Sequence, residues 1–239
     1  MAFGIRIAIL GAGSRGRGFG AILRDFCPEA AICAVAESRE DYRLDFAREH
    51  GLGPGQVFKS WQDYAASGAR PGAVIVATPD RELVEPAVTF LERGCHLFLE
   101  KPMATSLPDC RRIVQAQRQS GVITATFTMT AFTQQGGRKI RVPGTEAELL
   151  FDEARLVLRR FGDENVECLE FGPEPGGHGG GDRRALMAWL RAIRENNPAH
   201  VLTDVHESLR THAIVFEAEE SRRTGKSVEV GSYCASVGQ

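Results

Sequence analysis

The sequence predicts an α/β protein with a Rossmann-type doubly wound parallel sheet, followed by a smaller α+β domain with an antiparallel meander sheet. Up to residue 120, short apolar runs alternate with longer amphipathic stretches, as in right-handed βαβ units. From residue 123 to 131, apolar residues alternate strictly with threonines, which is typical of an antiparallel strand with one solvated face. We therefore predict two domains, residues 1–122 and 123–239.

The elements of the first domain follow from the lengths of its apolar runs. Continuous apolar blocks that are too short for helices are predicted to be buried strands: Ile5 to Leu10, Ala31 to Ala36, Ala73 to Ala77 and His96 to Leu99. The stretches between and after them carry helical periodicity and are predicted to be helices: Arg15 to Phe26, Arg39 to His50, Arg81 to Arg93 and Ser106 to Ser120.

The second domain reads as a meander closed by two helices. The threonine-rich strand ends at a hairpin-type loop, residues 134–137, and four short runs follow: Lys139 to Val142, Glu148 to Phe151, Leu156 to Phe161 and Val166 to Phe171. A glycine-rich loop then leads to Asp182, a predicted N-cap, and to a helix with Leu186 and Trp189 on one face. The last helix is predicted to begin at Thr203 or Asp204 and to stop at Gly225.

Composition excludes several classes of function. The 239 residues carry 29 basic and 31 acidic side chains, which gives none of the basic excess that nucleic-acid binding needs. The apolar runs fall short of the ~20 residues that span a bilayer, and the N-terminus lacks the charged region of a signal peptide. Six cysteines form no CxxC pair, as expected of reduced thiols. We expect a cytoplasmic protein without nucleic-acid or membrane partners.

A glycine motif opens the first predicted helix. Residues 11–16, GAGSRG, match G-x-G-x-x-G directly after a predicted strand. In this setting Gly11 permits the tight turn, Gly13 lets the backbone approach a pyrophosphate, and Gly16 lets helix and strand pack closely. Ser14 and Arg15 complete the loop at the helix N-terminus, where unpaired N–H groups favour an anion.

The second predicted strand is followed by a carboxylate at the position where dinucleotide sites bind ribose. Glu37 lies 21 residues after Gly16, and a carboxylate there accepts the ribose hydroxyls and repels a 2′-phosphate. Ser38 and Arg39 follow it, and the Arg39 guanidinium can instead pair with that phosphate. We therefore expect NAD as the cofactor, with NADP possible.

Two further motifs follow the next predicted strands. Thr78 and Pro79 come at the end of one strand, and Glu100, Lys101 and Pro102 at the end of the next. Open α/β sheets bind ligands at these carboxyl ends. A Thr-Pro-Asp step is also a common helix start, whereas the Lys101 ammonium in a crevice can hydrogen-bond a substrate hydroxyl or carbonyl.

The order GAGSRG, ATPD and LEKPM resembles the Gfo/Idh/MocA family of oxidoreductases, over the first 120 residues almost continuously. The resemblance implies hydride exchange between a nicotinamide and a sugar, polyol or similar small hydroxyl compound. It places Lys101 in the active site, Thr78 and Pro79 against the nicotinamide, and a cis bond at Lys101–Pro102. Leu83 departs from the family pattern, which usually has a histidine there, and the stretch with the family's Asp and His pair is missing.

If another residue replaces this pair, His178 in the glycine-rich loop is our candidate for the acid or base. The alternative is that this loop only caps the helix that begins at Asp182. His206 and His212 are six residues apart, about 120° around a helix, so we expect packing or surface roles for them and no metal site.

A rival hypothesis is a dinucleotide-binding paralogue without turnover, acting as a sensor or structural protein. Under either hypothesis, we expect the protein to form a homodimer or a higher homo-oligomer through residues 123–171.

Overall fold

The computed structural model describes residues 4–126, 140–152, 155–172, 174–175 and 178–228. The chain forms two compact units, one of Met1–Met129 with Gly181–Gln239 and the other of Thr130–Gly180. This division differs from the predicted one after residue 122, because the C-terminal helices belong with the first unit.

A six-stranded parallel sheet forms the centre of the first unit, in the order β3-β2-β1-β4-β5-β6. Its strands are β1 (Ile5–Leu10), β2 (Ala30–Ala36), β3 (Val57–Phe58), β4 (Ala73–Val76), β5 (His96–Leu99) and β6 (Thr124–Thr126). The strand order reverses between β1 and β4, as in dinucleotide-binding folds. The predicted Rossmann-type fold is confirmed.

Helices on this sheet bury apolar side chains in two clusters. The helices are α1 (Ser14–Phe26), α2 (Glu40–Glu49), α3 (Trp61–Ala66), α4 (Val84–Glu92) and α5 (Leu107–Ser120). The sequence predicted four of them and missed α3 and β3, which are too short for a periodic pattern. The predicted start of the third helix at Arg81 is corrected to Val84, because Asp80–Glu82 form a separate 3₁₀ turn.

The threonine-rich strand belongs to the parallel sheet over the residues that the structure describes. In β6, Thr124 and Thr126 pair in parallel register with Leu97 and Leu99, so an antiparallel assignment of this segment is wrong. Ile123, Thr124 and Ala125 are all buried, so Thr124 lies in a buried strand rather than on a solvated face. The hairpin-type loop at 134–137 lies outside the described residues.

Two C-terminal helices, α6 (Gly181–Glu195) and α7 (Val205–Thr224), complete the first unit. In α6, Trp189 is fully buried and packs edge-on against Phe98 of β5, with ring centroids 5.5 Å apart. The predicted limits of α7 are confirmed: Asp204 accepts the first N–H groups of the helix, and Gly225 ends it in a left-handed conformation. Asp182, however, lies inside the first turn of α6 rather than before it.

The second unit contains a four-stranded antiparallel sheet in the order β10-β9-β8-β7. Its strands are β7 (Ile140–Pro143), β8 (Ala147–Phe151), β9 (Arg155–Arg160) and β10 (Val166–Glu170). Neighbours in the chain are neighbours in the sheet, which confirms the predicted meander. Within the described part of the chain, no helix combines the length and apolar character that crossing a membrane requires.

Candidate functional site

A groove of about 730 Å³ lies where β1, β2 and β4 end. It is lined by nine of the predicted cofactor residues: Gly11, Gly13, Ser14, Arg15, Glu37, Ser38, Arg39, Thr78 and Pro79. These residues come from three separate stretches of the chain, and the parallel sheet brings them to one edge. Lys59 and Trp61, which the sequence analysis did not select, line the same groove.

The glycines of the first loop are required by close backbone contacts. Gly11 has φ +88°, and a Cβ there would lie 2.5 Å from the Ala77 carbonyl oxygen. A Cβ on Gly16 would lie 1.9 Å from the Gly11 carbonyl oxygen. Gly13 is the N-cap residue of α1 and has no side chain with which to cap it. The first N–H groups of α1 therefore suit a bound anion, so the loop fits a dinucleotide pyrophosphate.

Glu37 is a buried, ionised carboxylate paired with its neighbour. Its Oε2 accepts the Ala12 N–H and Arg39 Nη2, both at 2.9 Å, and its Oε1 accepts Arg39 Nε at 2.9 Å. Burial would raise the pKa of Glu37, but the hydrogen bonds from Arg39 and from the Ala12 N–H together lower it to about 2. Arg43, also buried, donates to the Glu37 carbonyl at 2.7 Å and fixes the backbone there.

The end of β4 forms a turn beside the groove. Thr78 Oγ1 donates to the Glu82 carbonyl at 3.0 Å, and Pro79 precedes the 3₁₀ turn at Asp80–Glu82. The Thr-Pro-Asp step therefore starts a 3₁₀ turn ahead of α4. Thr78 and Pro79 of the same step also line the groove.

The Glu100–Lys101–Pro102 segment directly follows β5, the neighbour of β4 in the sheet. The Lys101–Pro102 peptide bond is cis, as the resemblance implied. Glu100 is 5% exposed and accepts Arg15 Nε at 3.0 Å. Its other oxygen, Oε2, is buried and has no hydrogen-bond partner among the described residues.

Arg15 links the glycine loop to two carboxylates far away in the chain. Besides Glu100, it forms a two-pronged ion pair with Asp182 of α6, at 2.7 and 3.1 Å. Burial would lower the pKa of Arg15, but the two carboxylates outweigh that effect and raise it. Sequence reasoning assigned Asp182 to helix capping, and its acidic character was the only feature that pointed to a cationic partner.

His212 contacts the segment that carries Lys101. Its ring is 9% exposed, Nε2 accepts the Met103 N–H at 3.1 Å, and Nδ1 lies 2.7 Å from the Ser208 carbonyl. These partners require a neutral ring with its proton on Nδ1. The packing role expected for His212 therefore includes holding the backbone two residues after Lys101. His206 is bonded to Gln117 at 2.9 Å.

His178, the candidate acid or base, lies in the second unit, in a turn with φ +44°. Lys101 lies in the first unit, so the pairing of these two side chains stays a prediction. Among the residues that the structure describes, no group of three or more His, Cys, Asp or Glu side chains has the arrangement of a metal site.

Comparison with known proteins decides the family. Residues 5–128 match the model of the Gfo/Idh/MocA oxidoreductases, which is described as an oxidoreductase family with an NAD-binding Rossmann fold. The chain belongs to this family. Its members bind NAD(P), and the groove described above has the residues to do so.

Two curated relatives and one solved structure illustrate the match to the Gfo/Idh/MocA family. The chain is 29% identical over 101 residues to scyllo-inositol 2-dehydrogenase (NADP(+)) of Bacillus subtilis, covering 42% of the chain and 30% of that protein. It is 29% identical over 163 residues to D-glucoside 3-dehydrogenase of Escherichia coli, covering 66% and 44%. The chain thus spans less than half the length of either relative.

The solved structure is an oxidoreductase of Agrobacterium radiobacter in complex with NAD+, L-tartaric acid and magnesium. The two structures superpose with a TM-score of 0.81 at 12% sequence identity, over 96% of this chain and 99% of the other. At that identity the likeness shows a shared fold.

Proposed function

We propose that this chain is an NAD(P)-dependent oxidoreductase that acts on a sugar, polyol or similar small hydroxyl compound. The observation that carries the proposal is the groove, where the glycine loop, Glu37 and the Thr78–Pro79 turn meet. Lys101 follows the strand next to that turn. The two relatives named as dehydrogenases of an inositol and of a D-glucoside support the substrate class.

Different residues of the chain bind different parts of the cofactor. The N–H groups at the start of α1 bind the pyrophosphate, and the side chains that follow β2 bind the adenosine ribose. Thr78 and Pro79 line the end of the groove that belongs to the nicotinamide. The nicotinamide, when bound, supplies the acceptor or donor of a hydride.

Lys101 stabilises the reacting oxygen of the substrate. Oxidation of an alcohol removes a hydride from carbon and a proton from oxygen, so charge changes at that oxygen during the reaction. The Lys101 ammonium donates a hydrogen bond to the oxygen and stabilises the charge that develops there. His178 is proposed as the group that takes the proton.

Turnover of the purified chain tests this function. A panel of sugars, polyols and inositols is incubated with NAD(P), and the absorbance of the reduced cofactor is followed. We expect turnover with at least one substrate, and we expect Lys101→Ala to lower kcat by about 100-fold or more while changing cofactor affinity little, because the ammonium acts mainly in the transition state.

Other outcomes separate the alternatives. Equal losses in kcat and in cofactor affinity would assign Lys101 to cofactor positioning only. Cofactor binding without turnover on the whole panel would favour the rival hypothesis of a binding paralogue that acts as a sensor or structural protein. Absence of cofactor binding would overturn both.

A further inference from the structure

Glu37, the residue predicted to bind the ribose hydroxyls, is already fully hydrogen-bonded within the chain. Its Oε2 accepts the Ala12 N–H and Arg39 Nη2, and its Oε1 accepts Arg39 Nε and, at 3.0 Å, the Arg39 N–H. The Ser38 hydroxyl, 3.4 Å from Oε1, is a fifth donor. A carboxylate offers about four acceptor positions, and these five donors, three of them from Arg39, occupy them. A ribose hydroxyl could reach Glu37 only by displacing one of these donors.

Arg39 also cancels the charge that would exclude a phosphate. Its two-pronged pair with Glu37 neutralises the carboxylate, while about half of the Arg39 side chain, 53%, stays exposed. The Nη1 atom of Arg39 has no hydrogen-bond partner among the described residues, so its N–H groups can bind a ligand. Two N–H groups of the guanidinium thus bind the carboxylate of Glu37, and its other N–H groups can bind an anion.

Further contacts hold this cation in place and add positive charge around it. The Arg39 guanidinium stacks on Tyr42, 3.9 Å from the ring centroid. Arg17, which pairs with Asp45 at 3.5 Å, stacks on the same ring at 4.8 Å. The exposed Lys59 lines the groove as well. The other acid that lines the groove, Glu82, follows Thr78 at the end that belongs to β4.

We propose that Arg39 is a receptor for the 2′-phosphate of the cofactor, so that this chain binds NADP(H) in preference to NAD(H). Glu37 is then a positioning residue that aims Arg39, instead of the group that selects NAD. This inference rests on the dinucleotide site of the proposed function and names the form of the cofactor that the site takes.

Binding of 2′,5′-ADP and 5′-AMP isolates the 2′-phosphate from the rest of the cofactor, and NADPH and NADH provide the same comparison for whole cofactors. Calorimetric titration of the native chain should show tighter binding of the phosphorylated partner in both pairs, by about 10- to 100-fold, the range for hydrogen bonds to a charged group. The gap should narrow as salt rises, because Arg39 is half exposed.

Variants locate the effect at one side chain. Arg39→Ala should remove most of the preference for 2′,5′-ADP and NADPH and leave NADH binding equal or tighter. Arg39→Lys keeps the charge without the fork and should retain part of the preference. Arg48→Ala is the matched control, since Arg48 lies on α2, of which Arg39 is the N-cap residue, is 78% exposed and pairs with Asp45. It should change the affinity for NADPH and for NADH little.

The outcomes that would overturn the inference are distinct from failure of the site itself. Tighter binding of NADH by the native chain, or an equal loss of both cofactors in folded Arg39→Ala and Arg39→Lys, would overturn the role of Arg39 and leave the dinucleotide site in place. If none of the four ligands binds the native chain, the dinucleotide site is wrong and this inference with it.

Discussion

At the scale of single residues, Gly13 is a position where a side chain should affect cofactor binding but not folding. Its backbone has φ −69° and ψ −166°, a conformation open to any residue, in contrast to Gly11 with φ +88°. The nearest atom to a Cβ on Gly13 would be Arg39 Nη2, at 3.2 Å. Only the end of a flexible side chain thus opposes a larger residue at position 13.

Gly13→Val should therefore fold but bind NAD(P) at least about 100-fold more weakly, because its side chain occupies the space through which the backbone approaches the pyrophosphate. Calorimetry measures the affinity, and thermal unfolding checks the fold. Gly18→Val is the control, since nothing lies within 4 Å of a Cβ at Gly18. Unchanged affinity in Gly13→Val would contradict the assignment of this loop to the pyrophosphate.

The low pKa of Glu37 makes a prediction about stability in acid. The pKa falls from the ordinary value of 4.5 to about 2 on folding, so the ionised carboxylate stabilises the fold above pH 4.5, and this contribution is lost as pH falls from 4.5 towards 2. The free energy of unfolding, measured with denaturant at several pH values, should fall less steeply in Glu37→Gln over that range. Parallel curves for the two proteins would show that Glu37 does not contribute.

At the scale of elements, α6 and α7 fix the residues before and after Lys101, respectively. Asp182 of α6 binds Arg15, which binds Glu100, and His212 of α7 accepts the Met103 N–H. The residues immediately around Lys101 are thereby tied to helices that lie more than 75 residues further along the chain. These helices therefore support the proposed active-site segment around Lys101 as well as the core.

His212→Phe keeps an aromatic ring at this position and removes the acceptor for the buried Met103 N–H. The unpaired N–H should cost about 1–3 kcal/mol of unfolding free energy, and kcat should fall while cofactor affinity is kept. Denaturant unfolding and steady-state kinetics measure the two effects. His200→Ala, which removes a surface bond to Glu195, serves as control. A kcat equal to that of the native protein would limit His212 to packing.

At the scale of the whole molecule, the antiparallel sheet predicts self-association. One face of this sheet exposes three large apolar side chains, each about half accessible in the single chain: Ile140, Val142 and Leu169. Closed two-fold symmetry is the commonest way to bury such a surface. We therefore keep the prediction of a homodimer but limit its interface to the antiparallel sheet, because Thr124–Thr126 pair within the parallel sheet.

Light scattering at micromolar concentration should give twice the chain mass of 26.1 kDa. Leu169→Glu should shift the species towards the monomer, because it places a charge at the interface, and Glu164→Lys, on a loop of the same unit, should not. A native species that stays at 26.1 kDa would show that the sheet is not an interface.

The sequence by itself determined the parallel sheet, the antiparallel meander and most of the groove. The glycine loop, Glu37 and Glu100 directly follow strands, and Thr78 comes two residues after the end of one. Strand ends can be recognised from local apolar patterns. Because parallel strands place their carboxyl ends along one edge, local positions were enough to predict that these residues meet.

Only the tertiary structure decided which partners those residues take. The alternation of Ile123, Thr124 and Ala125 could not distinguish a solvated face from a buried one, and the burial of all three residues in the structure decided it. Asp182 lies 167 residues from Arg15, and His212 lies 109 residues from Met103. Contacts over such separations leave no periodic pattern, because they depend on how the C-terminal helices pack against the sheet. The pairing of Glu37 with Arg39 is a local contact, but it also could not be predicted, because it depends on side-chain geometry that spacing alone does not specify.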